Sequence, residues 1–247
     1  MKKKTYVKDD GLKKYFDKIF WGTKEEFYKD IENSIEKEEK RFIVTANPET
    51  IMISEENEEL KKCILSDVVT VVPDGIGIIK GAKFLKYPAK DTITGINLTQ
   101  ELLRYCNLNK KSVFLFGAKD EVIHNLEKRL NDDYPDLKIL GIQNGYEQDK
   151  KAVFEKIKEV SPDLILVALG IPAQEILINE NYKDFEKGIF IGVGGSFDVL
   201  SGLKKRAPRF FIKFHLEWLY RITTEPKRLK RFFNSNIKYV LKLVKEK

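Results

Sequence analysis

Short, uninterrupted apolar runs alternate along the chain with segments of helical periodicity. Three of these runs are SVFLFG, LILVAL and GIFIGV, which begin at residues 112, 164 and 188. Continuous apolar runs are typical of strands that helices cover on both faces. Strands that alternate with helices indicate βαβ units and a parallel sheet. The pattern therefore predicts an α/β, Rossmann-like protein with a mainly parallel sheet of about six strands flanked by helices.

The first third of the chain is less regular. Thr23-Lys-Glu-Glu26 predicts a capping box at the start of a helix that runs to about Lys40. The pattern predicts strands at Arg41–Asn47 and at Val68–Pro73, and between them one helix from Pro48 to about Ser66. Tyr15–Trp21 is compatible with a further strand.

The composition changes after Gly202. From residue 203 onward there are 14 Lys and Arg against 3 Asp and Glu, a net charge of +11. The preceding 202 residues carry 31 basic and 35 acidic side chains, a net charge of −4. We therefore predict a Rossmann-like catalytic domain at 1–202 and a basic, aromatic appendage at 203–247. Such an appendage favours an anionic partner: phosphate, nucleic acid or a membrane surface.

The end of the appendage predicts an amphipathic helix. Its apolar residues fall at helical spacing, while its lysines face elsewhere. The apolar positions are Phe233, Ile237, Val240, Leu241 and Val244, and the lysines are Lys238, Lys242 and Lys245. This pattern fits a helix that lies at a membrane surface. It fits equally a helix packed on the main domain with a solvated lysine face.

Several classes of protein are disfavoured. No apolar run approaches the roughly 18 residues of a membrane-spanning helix, and the basic start is followed by polar residues, unlike a secretory signal. Cys63 and Cys106 lie too far apart for a metal or redox motif and are expected to be buried. His124 and His215 lack a partner cluster. We expect a cytoplasmic protein that binds no metal.

Asp74 is the most informative candidate for chemistry. It follows an apolar strand, and Gly75 and Gly77 lie within the next three residues. Ligands of open α/β sheets bind outside the carboxyl ends of the strands, where a carboxylate can accept a proton. Asp74 could equally cap the helix that follows.

Polar residues and glycines recur at the other strand ends. Each is ordinary for a strand-to-helix turn, but together they predict a shared ligand cleft. They include Thr45, Asn47, Tyr146, Gln174 and Asp198. In the appendage, Arg221, Arg228 and Arg231 have the spacing to share one helix face and bind a diphosphate, although Pro226 interrupts a continuous helix.

Six motifs together resemble the WecG/TagA/CpsF family of bacterial glycosyltransferases, roughly from Phe42 to Arg231. They are VVPDGIG (71–77), TGINL (94–98), VALGIPAQE (167–175), IGVGGSFDVLSG (191–202), KRAP (205–208) and LEWLYR…EPKRLKR (216–231). The resemblance implies an inverting, metal-independent transferase at the inner face of the membrane. It implies transfer of an N-acetylhexosamine, N-acetylmannosamine in the TagA branch, from a UDP-sugar to polyprenyl-diphosphate-linked N-acetylglucosamine for wall teichoic acid or a related polysaccharide.

The resemblance also implies roles for individual residues. Asp74 matches the family's proposed catalytic base. Thr45, Asn47 and Gln174 match polar residues of the family's cleft. Tyr146 and Asp198 match positions near the nucleotide. The C-terminal arginines of the family correspond to Arg221, Arg228 and Arg231. One position departs from the pattern, because Thr92 stands where many relatives carry arginine. Lys90 is the candidate to replace that phosphate contact.

Two other functions compete with this hypothesis. A Rossmann-like body with a basic, aromatic arm also suits a protein that binds single-stranded nucleic acid. A dehydrogenase or methyltransferase is disfavoured, because the dinucleotide fingerprint is missing. The transferase hypothesis expects an anionic membrane surface as partner and no nucleic acid, and it leaves open whether the protein is a homo-oligomer.

Overall fold

The structure is a computed structural model that describes residues 11–214, 216–224 and 227–246, except for the side chains at 221, 222, 227, 228, 230 and 231. Its strands are β1 (Lys40–Ala46), β2 (Val69–Pro73), β3 (Ser112–Gly117), β4 (Lys138–Gln143), β5 (Leu164–Ala168) and β6 (Gly188–Gly192). They form one six-stranded sheet in the order β2-β1-β6-β5-β3-β4. All neighbouring strands pair in parallel. The predicted parallel α/β sheet is confirmed.

The helices connect these strands and cover both faces of the sheet. They are α1 (Lys13–Phe16), α2 (Lys24–Glu36), α3 (Pro48–Glu56), α4 (Glu58–Leu65), α5 (Ile76–Phe84), α6 (Gly95–Leu108), α7 (Asp120–Asp133), α8 (Lys150–Val160), α9 (Ala173–Asn181), α10 (Ser196–Leu200), α11 (Arg209–Lys213), α12 (Glu217–Thr224) and α13 (Lys227–Lys245). A short 3₁₀ helix, Tyr182–Asp184, follows α9.

The sheet separates two hydrophobic cores. Successive residues of one strand point to opposite faces, so Phe114 joins the core under α3, α4, α8 and α9, and Leu115 joins the core under α2, α6 and α7. β3, β5 and β6 are buried along their whole length. This two-sided burial is the reason that their sequences are apolar without alternation.

One prediction of secondary structure is wrong, and one open possibility is not observed. The single helix expected from Pro48 to Ser66 is two helices, because Asn57 ends α3 and its side chain caps α4 by accepting a hydrogen bond from the Leu60 amide (2.8 Å). The strand considered at Tyr15–Trp21 is absent from this described stretch, which begins in α1 and touches the sheet only through an isolated bridge between Ile19 and Val71. Trp21 instead donates its ring N–H to the Phe16 carbonyl (2.9 Å).

The C-terminal helix α13 turns back and packs against the body, chiefly on α3. Its inward face carries Tyr239 and Leu243, which are 2% and 8% exposed. The five apolar positions predicted for the amphipathic face remain between 50% and 59% exposed, and we call them the apolar stripe: Phe233, Ile237, Val240, Leu241 and Val244. The packed-helix alternative is therefore correct about the contact with the body, but the contact uses Tyr239 and Leu243 and leaves the five predicted apolar positions exposed.

Two lysines of α13 pair with α3 and remain partly exposed. Lys242 contacts Glu55 at 2.6 Å, and Lys238 contacts Glu56 at 2.5 Å. Within the described part of the chain, no helix has both the length and the apolar character that a membrane crossing requires.

Candidate active site

A cleft of about 1030 Å³ opens at the carboxyl edge of the sheet. It is lined at the ends of β1, β2, β3, β5 and β6 by Thr45, Asn47, Asp74, Gly75, Ala118, Gly170, Gln174, Gly192, Gly194 and Gly195, among others. The predicted convergence of strand-end residues on one cleft is observed. The carboxyl edge of an open α/β sheet is where such folds bind ligands.

Asp74 lies in this cleft at the end of β2. Its backbone N–H donates to the Ala46 carbonyl (2.9 Å), which ties the residue to the end of β1. The N-cap of α5 is Gly75, so Asp74 precedes the capping position and the capping alternative is not supported. Gly75 has φ +86°, and a Cβ there would meet nothing within 4 Å. The backbone beside the carboxylate is thus open to a ligand.

Thr45 and Asn47 line the cleft next to Asp74, on the neighbouring strand end. The Asn47 side chain caps α3 by accepting a hydrogen bond from the Thr50 amide (3.0 Å). Gly95 begins α6 close to Thr45, since a Cβ at that glycine would lie 3.4 Å from Thr45 Oγ1. The first turn of α6 therefore borders the cleft, and the free N–H groups of a helix N-terminus favour anions.

Gln174 is only 3% exposed and lies in the cleft wall. Its Oε1 accepts hydrogen bonds from the amides of Gly170 and Gly194, both at 3.1 Å. Its Nε2 donates to Glu175 Oε1 (2.7 Å), and burial raises the pKa of Glu175 to about 7. Sequence reasoning had no reason to choose Glu175, because acidic residues are common in a first helical turn.

Tyr146 and Asp198 lie at the rim of the same cleft. Tyr146 is 63% exposed, and its backbone amide donates to Asn144 Oδ1 (2.8 Å), so the turn before α8 presents the ring to solvent. Asp198 is on α10, and its carboxylate lies 3.7 Å from Lys204 Nζ. Both residues are placed to meet a ligand that enters from outside.

The appendage forms another wall of the cleft. Trp218 of α12 stacks on Phe232 of α13, with ring centroids 5.1 Å apart, and both residues line the cavity. The predicted arginines occupy position 221 on α12 and positions 228 and 231 on α13, but their side chains lie outside the described part of the structure. Their roles stay predictions. His215 lies outside the described residues as well.

Arg206 connects the appendage to the body. One of its terminal nitrogens donates to Gln100 Oε1 (2.8 Å), and the other donates to Asn97 Oδ1 of the same helix, α6. Its Nε lies 3.8 Å from the Glu217 carboxylate at the start of α12. The KRAP motif thus supplies an arginine that links α6 to α12, a role that its position in a basic linker did not reveal.

Two lysines that sequence reasoning missed, Lys80 and Lys119, line the cleft. Lys80 lies one turn into α5, after the Asp74 strand, and Lys119 lies two residues after β3. Neither lysine carries a sequence pattern that would have identified it. Thr92 also borders the cleft, whereas Lys90 is outside the lining and lies 3.6 Å from the Glu26 carboxylate.

Other expectations concern residues outside the cleft. Cys63 and Cys106 are buried thiols, as predicted. His124 is exposed on α7, with Nδ1 2.7 Å from the Asp120 carbonyl. Among the described residues, no group of three or more His, Cys, Asp or Glu side chains is gathered in a way that could hold a metal ion.

The fold and the cleft define a Rossmann-like α/β protein whose ligand site lies at the carboxyl edge of a parallel sheet. The sequence model of the Glycosyl transferase WecG/TagA/CpsF family matches residues 15–247. The chain belongs to this family and is therefore a glycosyltransferase.

Curated relatives cover most of the chain. It is 42% identical over 204 residues to an N-acetylglucosaminyldiphosphoundecaprenol N-acetyl-beta-D-mannosaminyltransferase of Bacillus spizizenii, an alignment that spans 83% of this chain and 79% of that protein. Proteins of the same name are 39% identical in Bacillus subtilis, over 83% of this chain and 79% of the relative, and 35% identical in Staphylococcus aureus, over 83% and 80%.

Proposed function

We propose that this protein is an inverting glycosyltransferase that moves N-acetylmannosamine from a UDP-sugar to polyprenyl-diphosphate-linked N-acetylglucosamine, in the synthesis of wall teichoic acid or a related polysaccharide. The relatives' names support the sugar and the acceptor. The UDP donor follows from the family resemblance. The observation that carries the proposal is the position of Asp74, a carboxylate at a strand end inside a cleft that the appendage helps to enclose.

The cleft supplies the groups that an inverting displacement needs. The acceptor hydroxyl attacks the anomeric carbon of the donor while the bond to the diphosphate breaks. Asp74 takes the proton from the attacking hydroxyl, as a general base. One carboxylate is sufficient for this role, because no covalent intermediate has to form.

The departing diphosphate gains negative charge, and fixed positive groups stabilise it. Lys80 and Lys119 line the cleft, and the first turn of α6 borders it. The family resemblance adds Arg221, Arg228 and Arg231. We propose that these groups together take the place of a metal ion. Retention of activity in excess EDTA is the expected result, and recovery of activity only when Mg²⁺ is added back would contradict it.

The rim residues suit the nucleotide. We propose that the exposed Tyr146 ring stacks on uracil and that Asp198 contacts the nucleoside. Thr45, Asn47 and Gln174 then lie deeper, toward the sugar and Asp74. Because Gln174 already uses its amide within the protein, we expect it to shape the cleft more than to bind substrate directly.

A UDP-release assay tests the reaction, with a panel of UDP-N-acetylhexosamines and a short-chain polyprenyl-diphosphate N-acetylglucosamine. We expect turnover with UDP-N-acetylmannosamine. Asp74→Asn should lower kcat by about 10²–10⁴-fold, the usual contribution of a general base, while UDP binding measured by calorimetry changes little. Asp67→Asn, an exposed carboxylate at the opposite end of β2, is the matched control. Near-normal turnover by Asp74→Asn would refute the assignment of the base.

We further propose that the appendage holds the enzyme at an anionic membrane surface, at the inner face of the cell membrane, where a polyprenyl-linked acceptor resides. The apolar stripe of α13 is half exposed or more, and Phe210, Phe214 and Trp218, in and beside α11 and α12, are exposed as well. Basic residues are interspersed with these apolar residues along the sequence. An apolar face with basic flanks is typical of helices that lie in the membrane interface.

Sedimentation with anionic vesicles tests this role. Ile237→Glu combined with Leu241→Glu should weaken vesicle binding by at least about tenfold, because each apolar side chain gains on the order of 1.5–3 kcal/mol on burial. Thr223→Glu combined with Asn234→Glu adds the same charge at exposed polar positions of the appendage and should have a much smaller effect. Tighter binding to a single-stranded oligonucleotide than to vesicles at matched salt would instead favour the nucleic-acid hypothesis.

A further inference from the structure

Glu175 is a buried carboxyl in the wall of the cleft, and the proposed glycosyl transfer does not use it. It is 3% exposed, and its Oε1 accepts a hydrogen bond from Gln174 Nε2 (2.7 Å). Its other oxygen, Oε2, is buried without a hydrogen-bond partner among the described residues. A buried carboxyl group is costly, and the cost calls for a compensating role.

The partner of Glu175 joins two strand ends. Gln174 Oε1 accepts hydrogen bonds from the backbone amides of Gly170, which follows β5, and of Gly194, which follows β6. Both glycines have positive φ, +80° and +47°. Residues other than glycine rarely adopt such backbone conformations. The Gln174 amide therefore fixes two neighbouring turns at the floor of the cleft.

The orientation of that amide depends on Glu175. A side-chain amide has an accepting oxygen at one end and a donating NH₂ group at the other. If the Gln174 amide were reversed, its NH₂ group would face two N–H donors and its oxygen would face the Glu175 oxygen. The reversed amide would therefore lose the hydrogen bonds from Gly170 and Gly194. The Gly192 backbone packs closely on the pair, since a Cβ there would lie 2.5 Å from Gln174 Nε2 and 2.8 Å from Glu175 Oε1.

We propose that Glu175 is a positioning residue: its carboxyl group holds the Gln174 amide in the orientation that clamps the turns after β5 and β6 against each other. We call this hydrogen-bonded pair the amide brace. Its effect on catalysis rests on the proposed function, in which those two turns form the floor that receives the UDP-sugar. Glu175 acts only through Gln174 and contacts no substrate.

Removal of the acceptor tests the brace. Glu175→Leu keeps the bulk of the side chain but cannot accept a hydrogen bond, whereas Glu175→Gln keeps an oxygen that can face Gln174 Nε2. We expect kcat/KM for the UDP-sugar to fall at least about tenfold in Glu175→Leu, mainly through KM, and to stay within about threefold of wild type in Glu175→Gln. Ile178→Val, a methyl deletion on the buried face of the same helix, controls for a general loosening of α9.

Hydrogen exchange of the Gly170 and Gly194 amides gives a readout that does not depend on activity. We expect exchange at both amides to accelerate at least about tenfold in Glu175→Leu, and to stay near the wild-type rate in Glu175→Gln and Ile178→Val. If Glu175→Leu does not fold, Gln174→Leu removes the brace from its other side and should accelerate the same two amides.

The outcomes separate this proposal from the function on which it rests. If the wild-type protein transfers no sugar, the proposed function fails, and the exchange rates still decide whether the brace exists. If the wild-type protein is active and the leucine variants keep both slow exchange and a normal KM, the brace is refuted.

Discussion

The body of this protein and its C-terminal helix differ in how much of their apolar surface they bury. In the body, apolar side chains such as Phe116 are fully buried. On α13, Tyr239 and Leu243 are buried against the body, but the five residues of the apolar stripe are exposed. Lys238 and Lys242 of the same helix pair with carboxylates of α3 and stay partly exposed.

The exposed stripe shows that the fold of the described residues does not bury all of their apolar surface. Exposed apolar patches of this kind mark places where another surface binds. Because α13 is tied to the body by Tyr239, Leu243 and ion pairs, its stripe can face a membrane while the other side of the helix shapes the cleft. The expected division at residues 202 and 203 stays a prediction, but the two parts share one cavity.

The largest expected effect is on stability in the body. Phe116→Ala should lower the free energy of unfolding by about 3–5 kcal/mol, the range for removal of a buried aromatic side chain. Phe233→Ala, on the stripe, should change it by less than about 0.5 kcal/mol. Urea unfolding measures both. An equally large cost for Phe233→Ala that grows with protein concentration would show that a second copy covers the stripe.

The second-largest expected effect is on the pH dependence of stability, and it arises from the buried carboxyl group of Glu175. Its pKa in the folded protein is about 7, above the ordinary value of 4.5. Because the unfolded chain releases this proton more readily, stability should fall as pH rises from about 4.5 to about 7, by about 1–3 kcal/mol. Glu175→Gln should remove this part of the pH dependence, which urea unfolding at pH 5 and pH 8 would detect. An unchanged slope in the variant would mean that Glu175 does not titrate in this range.

The smallest expected effect concerns the contact between α13 and the body. Here stability is lost as pH falls, whereas the contribution of Glu175 is lost as pH rises. Burial alone would raise the pKa of Glu55, but hydrogen bonds from Lys242, Lys14 and Tyr15 outweigh it and lower the pKa to about 2. The stabilisation, about 1–2 kcal/mol after allowance for solvent screening, is present above pH 4.5 and should be lost as pH falls toward 2.

Glu55→Gln should therefore reduce the stability at pH 7 and accelerate amide exchange in α13. The adjacent Glu56→Gln is the matched control, because Glu56 and Lys238 form an exposed pair, worth about 0.2–1 kcal/mol. Equal effects of the two variants would show that Glu55 is not the anchor of the helix.

Most of the sheet was predictable because its strands are covered on both faces. SVFLFG and GIFIGV have few alternatives to a buried strand, and both are strands in the structure. Asn57 shows where local prediction failed. The apolar pattern continues through Asn57 and gives no sign of a break. In the structure α3 ends at this residue, because the Asn57 side chain caps the start of α4.

The cleft was predictable in part for the same reason. Asp74 follows β2, Thr45 lies at the end of β1 and Gln174 comes shortly after β5. Parallel strands bring their carboxyl ends to one edge. Glu175 and Arg206 were not predictable, because their roles depend on partners distant in sequence, such as Gly194 for the brace and Asn97 for the arginine. Lys80 and Lys119 escaped because a single lysine near a turn carries no pattern.

The sequence by itself determined the parallel α/β sheet, the edge at which the cleft forms, the charge step at residue 203 and the family. These features depend on local periodicity, on strand direction and on residue identity. Only the tertiary structure decided which face of α13 meets the body, which buried groups support the cleft floor and which wall the appendage provides. An amphipathic pattern defines two faces of a helix, but the partners available to each face decide which one is buried.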